Sequence, residues 1–248
     1  MSIRSRIWFL SAALMFAPLV VADSLKPGID PRVDTLLRNM GNYLKGAGEF
    51  SFRTDVNYDQ VLESGQKILY GRQAEISIRR PDRLHILVNG DQVHERVWYD
   101  GKTFILLDLW DQEYVKVDVP PRIDEALDFM AREYGISSPV SDVLYSDPYK
   151  ILVENVLTGT YVGQPVVRGV PTHHLAFTQN NIDWQLWIED GAHPVPRKAV
   201  ITYKNVTSAP QFTVWLSDWN FMPRLADSLF EFLPPDGAHQ VEINPIGQ

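Results

Sequence analysis

Between residues 49 and 119 apolar and polar side chains alternate in short runs, each ended by a turn. In Glu75-Ile76-Ser77-Ile78-Arg79-Arg80, the side chains of Ile76, Ile78 and Arg80 share one parity and those of Glu75, Ser77 and Arg79 the other. A period of two is the mark of a strand with one buried face, so Arg80 falls on the apolar side. Pro81 follows, which keeps Arg80 extended, removes a ladder donor and ends or bulges the strand. A guanidinium cannot lose its proton, so an enclosed Arg80 must find acceptors; a bulge that lets it reach water is the alternative. Arg79, on the opposite face, is expected to matter little. Leu84 and Ile86 continue the inward face. His94 to Tyr99 and Lys102 to Leu107 then flank Asp100-Gly101, a dipeptide suited to a two-residue type I′ turn. Tyr114 to Val119 follows the polar turn Asp111-Gln112-Glu113, which completes an antiparallel meander.

Before the meander, Asp30-Pro31 is a helix start, an acidic N-cap followed by proline at the first helical position. Val33, Leu36, Leu37, Met40, Tyr43 and Leu44 recur at helical spacing up to Gly46. Phe50 to Tyr58 reads as the first strand, Tyr58 to Gly65 as a loop and Gln66 to Arg79 as the second strand. After the meander, Pro120-Pro121 breaks the sheet and the period changes. Ile123, Ala126, Leu127, Met130 and Tyr134 form a helical stripe closed by Gly135, and Ser138-Pro139 and Asp147-Pro148 start two further short helices. Strands then return over Val156 to Tyr161, Gln164 to Arg168, Thr172 to Thr178, Ile182 to Glu189, Pro196 to Lys204 and Gln211 to Trp219. Phe230 to Gly237 reads as a last short strand.

No repeat or long linker divides the chain, so one α+β domain over residues 23–248 is expected. It would be a large twisted antiparallel sheet with an N-terminal helix and a central helical insertion over one face. A sheet of this size curls. Its concave face and the helices, with Ile76, Ile78, Leu84 and Ile86 on one side and Leu127 and Met130 on the other, enclose apolar space that is either packed core or ligand cavity.

Residues 1–22 read as a signal peptide: Arg4 and Arg6, an apolar run from Ile7, and a small-residue site ending at Ala22. The run contains Ser11 and Pro18 and is short for a spanning helix, so no integral membrane segment is expected after processing. The whole chain has 23 basic and 31 acidic residues; without Arg4 and Arg6 it has 21 against 31, a formal charge of −10. Such a surface repels phosphate backbones, so nucleic acid is not an expected partner. The chain contains no cysteine. That excludes thiol redox catalysis and a lipid-modified N-terminus, and a chain of this length can bury a sufficient core without disulfides.

Catalytic signatures are missing from the sequence. Asp100-Gly101-Lys102-Thr103 ends like a phosphate-binding loop, but Arg96 occupies the place of the first glycine and the context is a hairpin. His94-Glu95 is followed by Trp98, not by the second histidine of a zinc helix. His173 and His174, as neighbours on a strand, face opposite ways and cannot simply share a metal. Glu189-Asp190 reads as a solvated turn beside Gly191. Trp98, Trp184, Trp187, Trp215 and Trp219 lie on strands, where packing is their ordinary role. No cofactor is expected.

Three stretches in order, Arg80-Pro81-Asp82-Arg83-Leu84, Asp100-Gly101-Lys102-Thr103-Phe104 and Phe232-Leu233-Pro234-Pro235-Asp236-Gly237, resemble the LolA-type carriers of outer-membrane lipoproteins. The later strands, with Asp183-Trp184-Gln185-Leu186-Trp187-Ile188-Glu189 and Pro194-Val195-Pro196-Arg197-Lys198, look more like a family of predicted periplasmic proteins of unknown function related to that fold. The resemblance implies an unclosed β half-barrel, an apolar cavity on its concave side and a helical lid. It also implies that Arg80 reaches lid carbonyls and holds the lid shut; strand parity and the helical stripe give Ile76, Ile78, Leu84, Ile86, Leu127 and Met130 as the candidate ligand contacts. A periplasmic, non-enzymatic binder of a lipid or lipoprotein acyl chain is the expected function; a module of the same fold that binds an envelope protein partner is the rival. Export predicts an intact mass that begins at Asp23, and a mature protein that retains Met1 would contradict the leader.

Overall fold

The computed structural model describes residues 28–246; the expected leader and the site after Ala22 lie outside them. Helix α1 (Pro31–Lys45) starts where its capping chemistry requires, with the Asp30 carboxylate accepting from Arg32 N, and it buries Val33, Leu37, Met40 and Leu44. Six strands follow as a meander: β1 (Glu49–Val61), β2 (Lys67–Arg79), β3 (Arg83–Gly90), β4 (His94–Tyr99), β5 (Thr103–Asp108) and β6 (Glu113–Asp118). β1 runs to Val61, past the expected loop start at Tyr58. Helix α2 (Ile123–Tyr134) ends at Gly135, whose φ of 68° is the left-handed cap that glycine takes without a side-chain penalty. A 3₁₀ turn at Pro139–Val143 and α3 (Pro148–Val153) begin at the predicted Ser138 and Asp147 caps. The second set of strands comprises β7 (Thr158–Gly163), β8 (Val166–Val167), β9 (Val170–Thr178), β10 (Ile182–Glu189), β11 (Pro196–Tyr203) and β12 (Gln211–Asn220).

With β13 (His239–Gln240), all the strands join one curled, unclosed sheet in the order β13-β6-β5-β4-β3-β2-β1-β12-β11-β10-β9-β7, with the short β8 against β9. The halves meet where β1 pairs antiparallel with β12, Val56 opposite Val214 and Tyr58 opposite Phe212. Residues 119–157 therefore leave near one edge of the sheet and re-enter at the other. A connection between distant edges has to cross a face, and this one crosses the concave face with the buried Ile123, Ala126, Met130, Val143, Leu144 and Val153 turned toward it. They join the inward side chains of the sheet in a single core. At its far end the insertion packs on α1, where a Cβ at Gly41 would stand 2.6 Å from Tyr149 Cβ and Lys45 pairs with Asp147 at 2.7 Å.

Two local expectations are corrected. The β4–β5 turn is not a type I′ turn on Asp100-Gly101: Asp100 N bonds Thr103 O at 3.4 Å, which centres the turn on Gly101-Lys102, and Gly101 takes φ +87°. The Asp100 carboxylate holds it by accepting from the backbone N–H groups of Lys102 and Thr103 at 2.9 and 2.7 Å. Phe230 to Gly237 forms no strand. β13 (His239–Gln240) comes later and lies parallel to β6, and Phe232 instead packs beside Trp98 and Tyr114 in a small second core that also contains Ile105 and Leu107. Two prolines explain the difference, since Pro234 and Pro235 supply no ladder donors.

Candidate functional site

The parity that puts Ile76 and Ile78 inward also delivers Arg80 beneath the insertion, immediately after β2 ends. Its two terminal nitrogens donate to the backbone carbonyls of Leu144 and Tyr145, at 2.7 and 2.8 Å. Those carbonyls follow the 3₁₀ turn, where a helical segment leaves acceptors without internal partners. The guanidinium thus supplies what the segment's end lacks. Burial draws the Arg80 pKa down while Asp124 draws it back, so the cation is enclosed and its neighbours partly compensate. The Phe50 ring lies 5.6 Å away, and the Arg80 Nε is buried with no partner.

Other bonds make the insertion one piece. The Asp124 carboxylate accepts from Ser146 N at 2.9 Å and from Ser146 Oγ at 2.5 Å, and Tyr145 Oη donates to Asp128 at 2.7 Å. Burial first, and then that bond to Asp128, pushes the Tyr145 phenol up, which keeps it a neutral donor. Ile123 N bonds Pro81 O, and Tyr99 Oη donates to Pro120 O at 2.7 Å, so the entry to α2 is pinned to the sheet. Arg80 acts on the residues that α2 already holds.

Between α2, the 3₁₀ turn and the meander lies a cavity of about 150 Å³. Ile76, Leu84, Ile86, Leu127 and Met130 line it, whereas Ile78, fully buried, and Arg80 do not. Arg80 borders instead a wide open groove at the C-terminal end of α1, with Arg79 and Phe221. The sequence reading missed the inward-facing Arg72 and Glu95, which also line the cavity. Parity could have found them, since Arg72 is in step with Ile76 and Glu95 with Val97.

The remaining candidates are occupied by structural contacts. Arg79 is not idle: it bonds Asp227 at 2.6 Å and Leu225 O at 3.3 Å and covers the Phe230 ring, which ties the C-terminal segment to the convex face. His173 contacts Tyr161 Oη and Asp190, while His174 meets Gln185 and stacks on Trp187. Glu189 pairs with Arg197 and Asp190 with His173, within a turn that is exposed from Asp190 onward. Among the described residues no three His, Asp or Glu side chains are grouped to hold a metal ion. Trp184 stacks on Phe177, and Trp219 on Phe52.

Charge-assisted hydrogen bonds contribute about 1.5 to 3 kcal/mol, so Arg80→Leu is expected to raise lid opening about tenfold or more. Amide exchange should quicken across residues 136–146 while the β2–β3 ladder keeps its protection. The exposed Arg53→Leu, which breaks only the surface pairs with Glu75 and Asp218, serves as the control. Equal protection in the two variants would remove Arg80 from any role in closure.

The model of the family described as "Predicted periplasmic protein (DUF2092)" matches residues 33–244. Search of curated proteins finds no match. Similar solved structures include LprF from Mycobacterium bovis, 15% identical, with 77% of this chain and 93% of that one covered and a TM-score of 0.46. An uncharacterized conserved protein from Thermus thermophilus is 9% identical over 85% of this chain and 98% of its own, with a TM-score of 0.49. A LolA superfamily protein from Nitrosomonas europaea is also 9% identical, over 81% and 97%, with a TM-score of 0.36. No helix among the described residues is long and apolar enough to cross a membrane. With a family match that runs from α1 to beyond β13, the chain belongs to the DUF2092 family of predicted periplasmic proteins.

Proposed function

We propose that this protein, processed after Ala22 and folded as one domain from Asp23 onward, is a non-catalytic periplasmic binder of one hydrophobic ligand, a lipid or a lipoprotein acyl chain. The observation that carries the reading is the apolar cavity between Ile76, Leu84 and Ile86 of the sheet and Leu127 and Met130 of the insertion, closed by a charged side chain that bonds only lid backbone. About 150 Å³ is room for a group the size of benzene. A full acyl chain therefore needs the lid to lift. Each methylene that leaves water contributes about 0.8 kcal/mol, so a chain of ~16 carbons supplies roughly 10 kcal/mol before ordering costs. Release of the Arg80 bonds opposes this by about 1.5 to 3 kcal/mol. Chain burial outweighs closure, which makes a ligand-opened lid energetically reasonable.

Uptake of a solvatochromic hydrophobic dye by the folded protein tests the reading. Dye fluorescence should rise on binding and fall as long-chain fatty acid is added, and Leu127→Asp should abolish the uptake without unfolding the sheet. A protein that takes up no dye, or holds it regardless of added lipid, would instead favour a module that uses the same fold to bind an envelope protein.

A further inference from the structure

Two charged side chains line the cavity under the insertion, Arg72 and Glu95. Arg72 enters it from β2 and Glu95 from β4, each at the inward parity of its strand. Arg80 lies eight positions after Arg72, just past the end of β2 and outside the cavity lining. Gly90, opposite Arg72 in the β2–β3 ladder, brings no side chain between Arg72 and the lid; a Cβ there would lie 2.5 Å from Arg72 Cβ.

Among the described residues neither side chain makes a hydrogen bond or an ion pair within 4 Å, although each feels the other's charge. The Arg72 guanidinium lies 5.5 Å from the Tyr58 ring centroid. Glu95 is only 9% exposed. A guanidinium has five N–H donors in a fixed fork and stays charged, so this one is left open toward the cavity. Arg80 spends its terminal nitrogens on protein carbonyls; Arg72 has no such acceptor.

We infer that the Arg72–Glu95 part of the cavity receives the oxyanion head of a single-chain amphiphile, a carboxylate or a phosphate monoester, while its chain lies along the Ile76–Leu127 part. This rests on the hydrophobic-ligand reading above and adds the class of head. Arg72 would donate two parallel N–H bonds to two oxygens of the head, and Glu95 in its neutral form would add an O–H donor. Burial, and then Asp108, push the Glu95 carboxyl up to about 7 against the pull of Arg72. An anion bound beside it favours the neutral form further, so binding takes up a proton and weakens as pH rises through about 7.

Other groups face this part. Asp108 of β5 is engaged with the N–H groups of Trp110 and Asp111, and Asp91 accepts from Gly71 N. Tyr58 and Tyr203, whose phenols burial pushes up, remain neutral. Asp142 of the 3₁₀ turn, pushed by burial to about 7, titrates in the same window as Glu95. A variant at Glu95 therefore assigns the proton.

Calorimetric titration of the full-length mature protein with decanol, decanoate and decyl phosphate separates the possibilities, with acetate and inorganic phosphate as heads without chains. Decanoate or decyl phosphate should bind about tenfold or more tightly than decanol at pH 6, a preference that shrinks toward pH 8, and the better of the two identifies the head. Arg72→Met should bring the anionic amphiphiles to the affinity of decanol, Arg72→Lys should recover part of the preference, and Glu95→Gln should keep the preference but lose most of its pH dependence. If decanol binds and the anions bind no better, the head assignment is wrong while the hydrophobic-ligand reading stands. If none of the three binds, both fail. Acetate or inorganic phosphate bound as tightly as the amphiphiles would replace the head site with a free-anion site.

Discussion

A guanidinium on the apolar face of a sheet has to be satisfied where it stands, and the closed form of this protein depends on how that is done. Arg80 cannot shed its charge, and Pro81 stops β2 just where the side chain meets the insertion. The carbonyls of Leu144 and Tyr145 answer it, so the buried cation ties the insertion to the end of β2. Backbone acceptors suit this purpose. They are present only when the 3₁₀ turn is seated, whereas a carboxylate partner would keep its charge and its pull in the open state as well.

The topology requires a crossing. β6 and β7 lie near opposite ends of the sheet, and the chain between them crosses a face, here the concave one. Crossing buries Ile123, Ala126 and Met130, but it leaves a gap over Ile76, Leu84 and Ile86 because Leu127 and Met130 do not fill the curl completely. The gap is small, since α2, the 3₁₀ turn and residues 145–146 are bonded to one another and sit down together. A device of this kind opens as a unit or not at all. At its far end it packs on α1, where Gly41 admits Tyr149 at close range.

Much of this was legible in the sequence, and the reasons are local. Asp30-Pro31, Ser138-Pro139 and Asp147-Pro148 each combine a cap with a proline that fits the first turn, and each starts a helical segment. Strict alternation fixed the inward parity of β2 and thus of Arg80. What the sequence hid depends on distant partners. Arg79 looks like a surface residue until the C-terminal segment returns over the convex face to meet it, and Phe232 looks like a strand residue until Trp98 and Tyr114 offer it a bed. Arg72 and Glu95 were concealed differently: an isolated charge on a strand reads as solvent-facing unless its parity is followed for the full length of the strand.

On the proposed function, the chamber enlarges by movement of the insertion when a chain enters. Absence of cysteine from the sequence makes this measurable, because two introduced thiols carry the only labels. Spin labels at Arg132 on the exposed side of α2 and at Gln73 on the outer face of β2 report the separation of lid and sheet by pulsed electron resonance. A long-chain fatty acid should lengthen the principal distance and reduce the closed population. An unchanged distance distribution in a sample shown by mass to carry bound ligand would contradict the account, since about 150 Å³ under a fixed lid cannot hold such a chain.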